Sequence, residues 1–90
     1  MFTWDDKKNA ANIVKHKLAF DAVYGFDWDH AAIVSDDRRD YGEIRQRAFG
    51  FIAGKLHALV YTQRGDDIRI ISLRRANKRE ERLYETLKTC

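Results

Sequence analysis

The chain has no proline, one cysteine, five glycines and no apolar run of membrane-spanning length. Each shortage excludes something. A lone thiol, Cys90, leaves no internal disulfide and no cysteine-based metal site, and it fits a reducing compartment. Without a long apolar stretch no membrane helix is expected, and the N-terminal residues lack a secretory-signal pattern, so the expected location is the cytoplasm. With no proline-rich, repeated or low-complexity segment there is no sign of a linker, and 90 residues predict one domain over 1–90. The three histidines, His16, His30 and His57, are scattered without a metal-ligand spacing, so no metal and no cofactor is expected.

What is present is charge, unevenly spread. At 44% hydrophobic and 34% charged the composition is that of a folded globule. The net charge of +3 hides an asymmetry: residues 1–43 carry six Lys/Arg against nine Asp/Glu, and residues 44–90 carry eleven against five. The second half is the candidate nucleic-acid face. By composition alone a solvated surface explains it equally well. What favours a polyanion is that many of the cations fall in predicted strands, where packing does not ask for them.

The periodicity predicts an α+β fold. Phe2 to Trp4 reads as a short edge strand. Asp5 is placed to cap a helix over Asp6 to His16, with Ala10, Ile13 and Val14 facing inward. Phe20 to Tyr24 reads as a second short helix stopped near Gly25, and Ala31 to Ser35 as a short strand. Asp36 to Gly42 is a charged loop, expected to be the most mobile segment.

Three strands follow, Ile44–Ile52, Leu56–Thr62 and Ile68–Leu73, joined by turns at Gly54–Lys55 and Gln63–Asp67. In the first of them Arg45, Arg47, Phe49 and Phe51 share a face. In the last, alternation sets Ile70 and Ser72 against Arg69, Ile71 and Leu73. A final helix over Asn77 to Leu87 starts with a capping box, Asn77 and Glu80, and carries a stripe of Leu83, Tyr84 and Leu87. Elements in runs rather than in alternation argue for an antiparallel meander, with helices covering one face and the other left to bind.

An ordered set of features resembles the BrnT family of bacterial toxins. At the start are Phe2, Trp4, Asp5, Lys8, Asn12, the pair Lys15–His16, and Phe20. In the middle are Glu43-x-Arg45, Gly50 and the hairpin Tyr61-Thr62-Gln63-Arg64-Gly65. At the end a strand RIIS is followed by Arg and an Ala-led helix containing Glu-Arg and Tyr84. The resemblance spans Phe2 to Tyr84, and one position departs from it: Lys17 stands where the family usually has glycine after Lys–His. It implies a RelE-like ribonuclease toxin of a type II toxin–antitoxin pair, which stops translation by cutting RNA. It also implies a ribbon-helix-helix antitoxin whose dimerisation brings in two toxin chains as a 2:2 complex. DNA would then be contacted only through the antitoxin.

Metal-independent RNA cleavage needs a proton acceptor for the 2′-hydroxyl, donors for the pentavalent phosphate and an acid for the leaving oxygen. Arginine suits the second task because its planar fork grips phosphate oxygens in pairs. Arg64, at a strand end inside the matched hairpin, is the first choice; apart from the resemblance it would read as a turn arginine kept for solubility. Arg74 sits at the strand-to-helix junction, where a salt bridge is the competing role, and Arg45 shares its face with Phe49. Glu43 is the candidate base, or the group that orients an arginine; its competing role is a plain surface pair with Arg45. His16 titrates in the right range for proton transfer, against the ordinary role of a helix-terminal histidine. Lys8, Lys15, Arg47 and Arg69 are candidates for RNA phosphates, and Tyr41 for stacking on a base. Two other functions fit the chain: a family member that has lost catalysis and serves as co-repressor with its antitoxin, and a general nucleic-acid-binding module.

Overall fold

The computed structural model describes residues 1–89; Cys90, and with it the expectation placed on the lone thiol, lies outside the described residues. The elements are β1 (Phe2–Thr3), α1 (Asp6–His16), a 3₁₀ helix (Phe20–Gly25), β2 (Ala32–Ser35), β3 (Gln46–Ile52), β4 (Lys55–Arg64), β5 (Asp67–Arg75) and α2 (Lys78–Thr89). The second N-terminal helix is thus of the tighter 3₁₀ form rather than α. The strands make one sheet in the order β1-β5-β4-β3-β2, antiparallel except where β1 runs parallel to β5. The fold is mixed α+β with a five-stranded, mostly antiparallel sheet and a C-terminal helix.

The local chemistry sets the element boundaries. Asp5 caps α1 by accepting from the amides of Lys7 and Lys8 at 2.8 and 3.2 Å. The same helix ends on Lys17, whose amide donates to the Ile13 carbonyl while its φ of 59° lies in the left-handed region. At the other end of the chain the predicted capping box forms. The Glu80 amide donates to Asn77 Oδ1 at 2.8 Å, and the Asn77 amide donates to Glu80 Oε1 at 3.0 Å. The β4–β5 hairpin is tighter than expected, because Arg64 and Asp67 pair and only Gly65 and Asp66 turn the chain.

The strict alternation expected along the last strand does not hold. Val60 pairs with Ser72 but Tyr61 pairs with Ile70, so Ile71 is an extra residue and β5 carries a bulge. Ile70 and Leu73 consequently enter the same core, both essentially buried. The bulge also decides where the cations go. Arg69 pairs with Thr62, Ser72 with Val60 and Arg74 with Ala58, and these β4 partners alternate on one face. Arg69 and Arg74 are five residues apart and without the bulge would point to opposite faces.

Helices pack on both faces of the sheet, not on one as the pattern suggested. One face buries Ala48, Leu59, Tyr61, Ile70 and Leu73 against Phe20, Val23 and Phe26. Gly50 belongs here: a Cβ on it would meet Phe26 Cζ at 2.6 Å. The opposite face buries Phe49, Leu56 and Ala58 under Leu83 and Tyr84 of α2. The helix covers one end of that face and leaves the rest open.

The inward side of α1 is also opposite to expectation. Asn12 is buried, and Asn9 and His16 are half-buried. Asn12 Nδ2 donates to the Leu18 and Leu73 carbonyls at 2.8 and 2.7 Å, and the Phe20 amide donates to Asn9 Oδ1 at 2.8 Å. Hydrogen bonds rather than apolar contact hold this helix to β5, and Ala10, Ile13 and Val14 point to solvent.

Candidate nucleic-acid site

The basic face is built by register. Arg47 pairs with Val60, which pairs with Ser72; Thr62 pairs with Arg69; Arg74 pairs with Ala58, which pairs with Phe49. Cross-strand partners share a face and neighbouring strands lie about 4.8 Å apart. Arg47, Arg69 and Arg74 therefore stand on one side of the sheet, beside a strip of half-buried Val60 and Ser72, with Thr62 of the same face buried.

At one end of the strip lies a carboxylate shared by two arginines. Glu43 Oε2 accepts from Arg45 Nε at 3.0 Å, and Oε1 accepts from Arg64 Nη2 at 3.2 Å. Thr62 Oγ1 donates to the Ile44 carbonyl at 2.6 Å and pins this segment to β4. A shallow depression lined by Glu43, Ile44, Gln46, Thr62, Gln63 and Arg64 opens here. The bond from Arg45, with help from Arg64, holds the Glu43 carboxyl below its ordinary value despite some desolvation. An ionised carboxylate with both oxygens engaged is a weak proton acceptor, so the geometry favours Glu43 as the orienter of two arginines over Glu43 as base. Arg64 remains 56% exposed, with donors free for a ligand.

Behind this pair hydrogen bonds organise part of the charged loop. Asp36, buried in its side chain, accepts from Arg38 Nε and Nη2 at 2.7 and 2.9 Å and from the Tyr41 hydroxyl at 3.2 Å. These bonds hold its carboxyl at about 2, with Arg38 the main cause. The Tyr41 ring lies under the Arg45 guanidinium, 4.0 Å from its centroid. One face of the Tyr41 ring is thus taken by a cation.

At the other end Arg74 is tied down. Its Nη1 and Nη2 donate to Glu80 Oε1 and Oε2 at 2.7 and 2.8 Å, a two-pronged pair at the start of α2. Burial pushes the Glu80 carboxyl up, but Arg74, the Asn77 amide and the charge of Arg47 outweigh it and hold the group below its ordinary value. Arg47 is different. Its Nε is buried with no hydrogen-bond partner, and its guanidinium stands 5.5 Å over the Phe49 ring. Neither Arg47 nor Arg69 makes an ion pair among the described residues.

Lys8, Lys15 and His16 are gathered along the β5 side of α1, in a hollow shared with Asn12, Ile71 and Ser72. Desolvation, then the charges of Lys15 and Arg74, lower the His16 pKa. A histidine so placed is neutral near pH 7 and suited to accept a proton. This hollow is separate from the Glu43–Arg64 depression. The predicted residues thus fall into two groups on either side of that strip, not into one pocket.

Three residues with roles here lay outside the sequence reading as site residues. Asp36 was absorbed into a loop, Ser72 into the strand alternation, and Glu80 was seen only as a cap. Only Glu80 carried a signal, since a carboxylate at the third helical position lies near whatever precedes the cap.

No helix among the described residues is long and apolar enough to cross a membrane. No curated protein matches the chain. A family model described as the ribonuclease toxin, BrnT, of type II toxin–antitoxin systems matches residues 4–80. That span covers the arginine–carboxylate pairs described above, the bulged strand and the capping box, and the chain belongs to the BrnT family of ribonuclease toxins of type II toxin–antitoxin systems.

Proposed function

We propose that this protein is a metal-independent endoribonuclease, RelE-like in how it works, which stops translation in the cytoplasm by cutting RNA. The observation that carries this reading is the placement of Arg47, Arg64, Arg69 and Arg74 on one sheet face, with Arg45 joined to Arg64 through Glu43. The RNA backbone runs over the strip of Val60 and Ser72. Arg64 meets the scissile phosphate, with Glu43 and Arg45 fixing its angle. Arg47 and Arg69 bind flanking phosphates, Lys8 and Lys15 extend the track past β5, and Arg74 closes its upper edge. His16 is the candidate for proton transfer, because its lowered pKa keeps it neutral near pH 7.

The partner follows from the family: an antitoxin, of ribbon-helix-helix type in this reading, assembling two toxin chains and masking the basic face. The complex should then loosen as salt rises. The test is incubation of the purified protein with an end-labelled RNA, with and without ribosomes, in the presence of a chelator. Cleavage is the expected result. If the protein never cuts RNA under any of these conditions, it is a co-repressor subunit that has kept the family's fold without its chemistry.

A further inference from the structure

Helix α1 is laid against the sheet by its polar side and shows its apolar side to water. Ala10, Ala11, Ile13 and Val14 are exposed, Val14 at 76% and Ile13 at 42%. Neither packing nor propensity within this chain accounts for Ile13 and Val14. Isoleucine and valine lose rotamer freedom in a helix, and their burial would stabilise the fold where their exposure does not. The charges on the same element are equally unpartnered. None of Lys7, Lys8, Lys15 and Lys17 makes an ion pair with a described carboxylate. At 100° per residue, Lys7 and Lys17 flank Ala10 and Val14 on the outer side, while Lys8 and Lys15 lie on the side toward β5.

We propose that the outer face of α1 seats an acidic amphipathic helix of the antitoxin. Apolar residues of the partner cover Ala10, Ile13 and Val14, and its carboxylates meet Lys7 and Lys17. The inference rests on membership of a type II toxin family and not on where the RNA site lies. The chemistry selects this occupant. A second copy of the chain would set lysines against lysines, whereas an acidic helix answers both the stripe and its rim. Eleven residues make α1 roughly 16 Å long, so about three turns of a partner helix cover it. A helix seated there also lies next to the Lys8–Lys15–His16 hollow, so the partner's chain can continue from it onto the basic face.

The experiment uses the full-length toxin and, as probe, the purified antitoxin encoded beside it, with affinity read by calorimetry. Val14→Glu, Ile13→Glu and Lys7→Glu should each weaken binding at least tenfold while leaving the thermal melt and RNA cleavage unchanged. Affinities within twofold of wild type overturn the proposal. So does failure of the wild-type toxin to bind that antitoxin. Concentration-dependent self-association of the toxin that Val14→Glu abolishes, with antitoxin affinity unmoved, assigns the face to a second copy instead and also overturns it. Loss of RNA cleavage by the wild type would count against the ribonuclease reading alone, because affinity is read independently.

Discussion

The Tyr41 ring lies 4.0 Å beneath the Arg45 guanidinium, and its hydroxyl donates to the buried carboxylate of Asp36. Arg45 in turn holds Glu43, which holds Arg64. A line of contacts therefore runs from a buried acid to the most exposed arginine of the candidate site. Tyr41→Leu removes the ring and should lower RNA cleavage several-fold, in keeping with a cation–π contact of about 0.5–1 kcal/mol. Tyr41→Phe keeps the ring and should retain most of the activity. Equal rates for the leucine variant and wild type would show that Arg45 needs no support from below.

Arg64→Ala tests the centre of the proposal. The Arg64–Glu43 pair is exposed on the arginine side, and such pairs contribute little to stability, so the melt should hardly move. A donor that meets the phosphate as charge builds on it is typically worth about 3–4 kcal/mol in the transition state, roughly a hundred- to a thousand-fold in rate. The measurement is single-turnover cleavage of a defined RNA, with antitoxin binding as the control for a folded surface. A wild-type rate would move the active site elsewhere on the face.

Arg74→Ala should behave differently, and the contrast is diagnostic. Both Glu80 oxygens accept from Arg74 in a buried position, so the substitution strands a carboxylate. Losing one partner of a buried pair costs about 2–4 kcal/mol, which should appear as a lower melting temperature whatever happens to activity. Arg74→Leu with Glu80→Met should recover much of that loss. If the double variant is stable yet inactive, Arg74 contacts RNA; if it is stable and active, the residue serves only the fold.

Much of the fold was legible because it rests on local signals. The Asn77–Glu80 box, the Asp5 cap and the hairpin glycines act over two or three residues, and each appears where the pattern placed it. The bulge at Ile71 was not legible. It is selected by what Ile70 and Leu73 both gain in one core, a gain visible only once Phe20, Val23 and Leu59 are in place. The orientation of α1 failed for a related reason. Ala10, Ile13 and Val14 read as a core stripe, but the bonding needs of the Leu18 and Leu73 carbonyls draw Asn12 inward instead. The arrangement of the candidate site was less legible: the sequence offers the arginines, Glu43 and His16 as candidates, but its spacing does not reveal that Arg64 and His16 line separate hollows.

Lys17 shows what a residue other than glycine costs at a left-handed helix end. It ends α1 with φ 59° and ψ 33°, a conformation that disfavours any residue with a Cβ. Lys17→Gly should relieve that strain and raise stability by about 0.5–1 kcal/mol after the extra freedom of the unfolded chain is counted. For a chain of this size that corresponds to a rise of a few degrees in melting temperature. An unchanged or lower melting temperature would mean that the lysine stem contributes packing that outweighs the backbone term.

The pH dependence of stability should carry the signature of Asp36. Its carboxyl is held at about 2 in the folded protein, chiefly by Arg38, against an ordinary value near 3.8. A carboxyl depressed on folding stabilises the protein above its unfolded pKa, and the contribution fades as pH falls from about 4 through about 2. Because Arg38 is half exposed to solvent, the contribution is discounted to about 1–2 kcal/mol at most. Asp36→Asn removes the titrating group, so the difference in unfolding free energy between wild type and variant should shrink across that window and stay flat above pH 5. Glu43 and Glu80 are depressed as well and titrate in both proteins, so they cancel in the difference. Urea unfolding of both proteins at a series of pH values measures it. A difference that does not change between pH 5 and pH 2 would show that the Arg38–Asp36 pair contributes nothing to holding the loop under Tyr41 and Arg45.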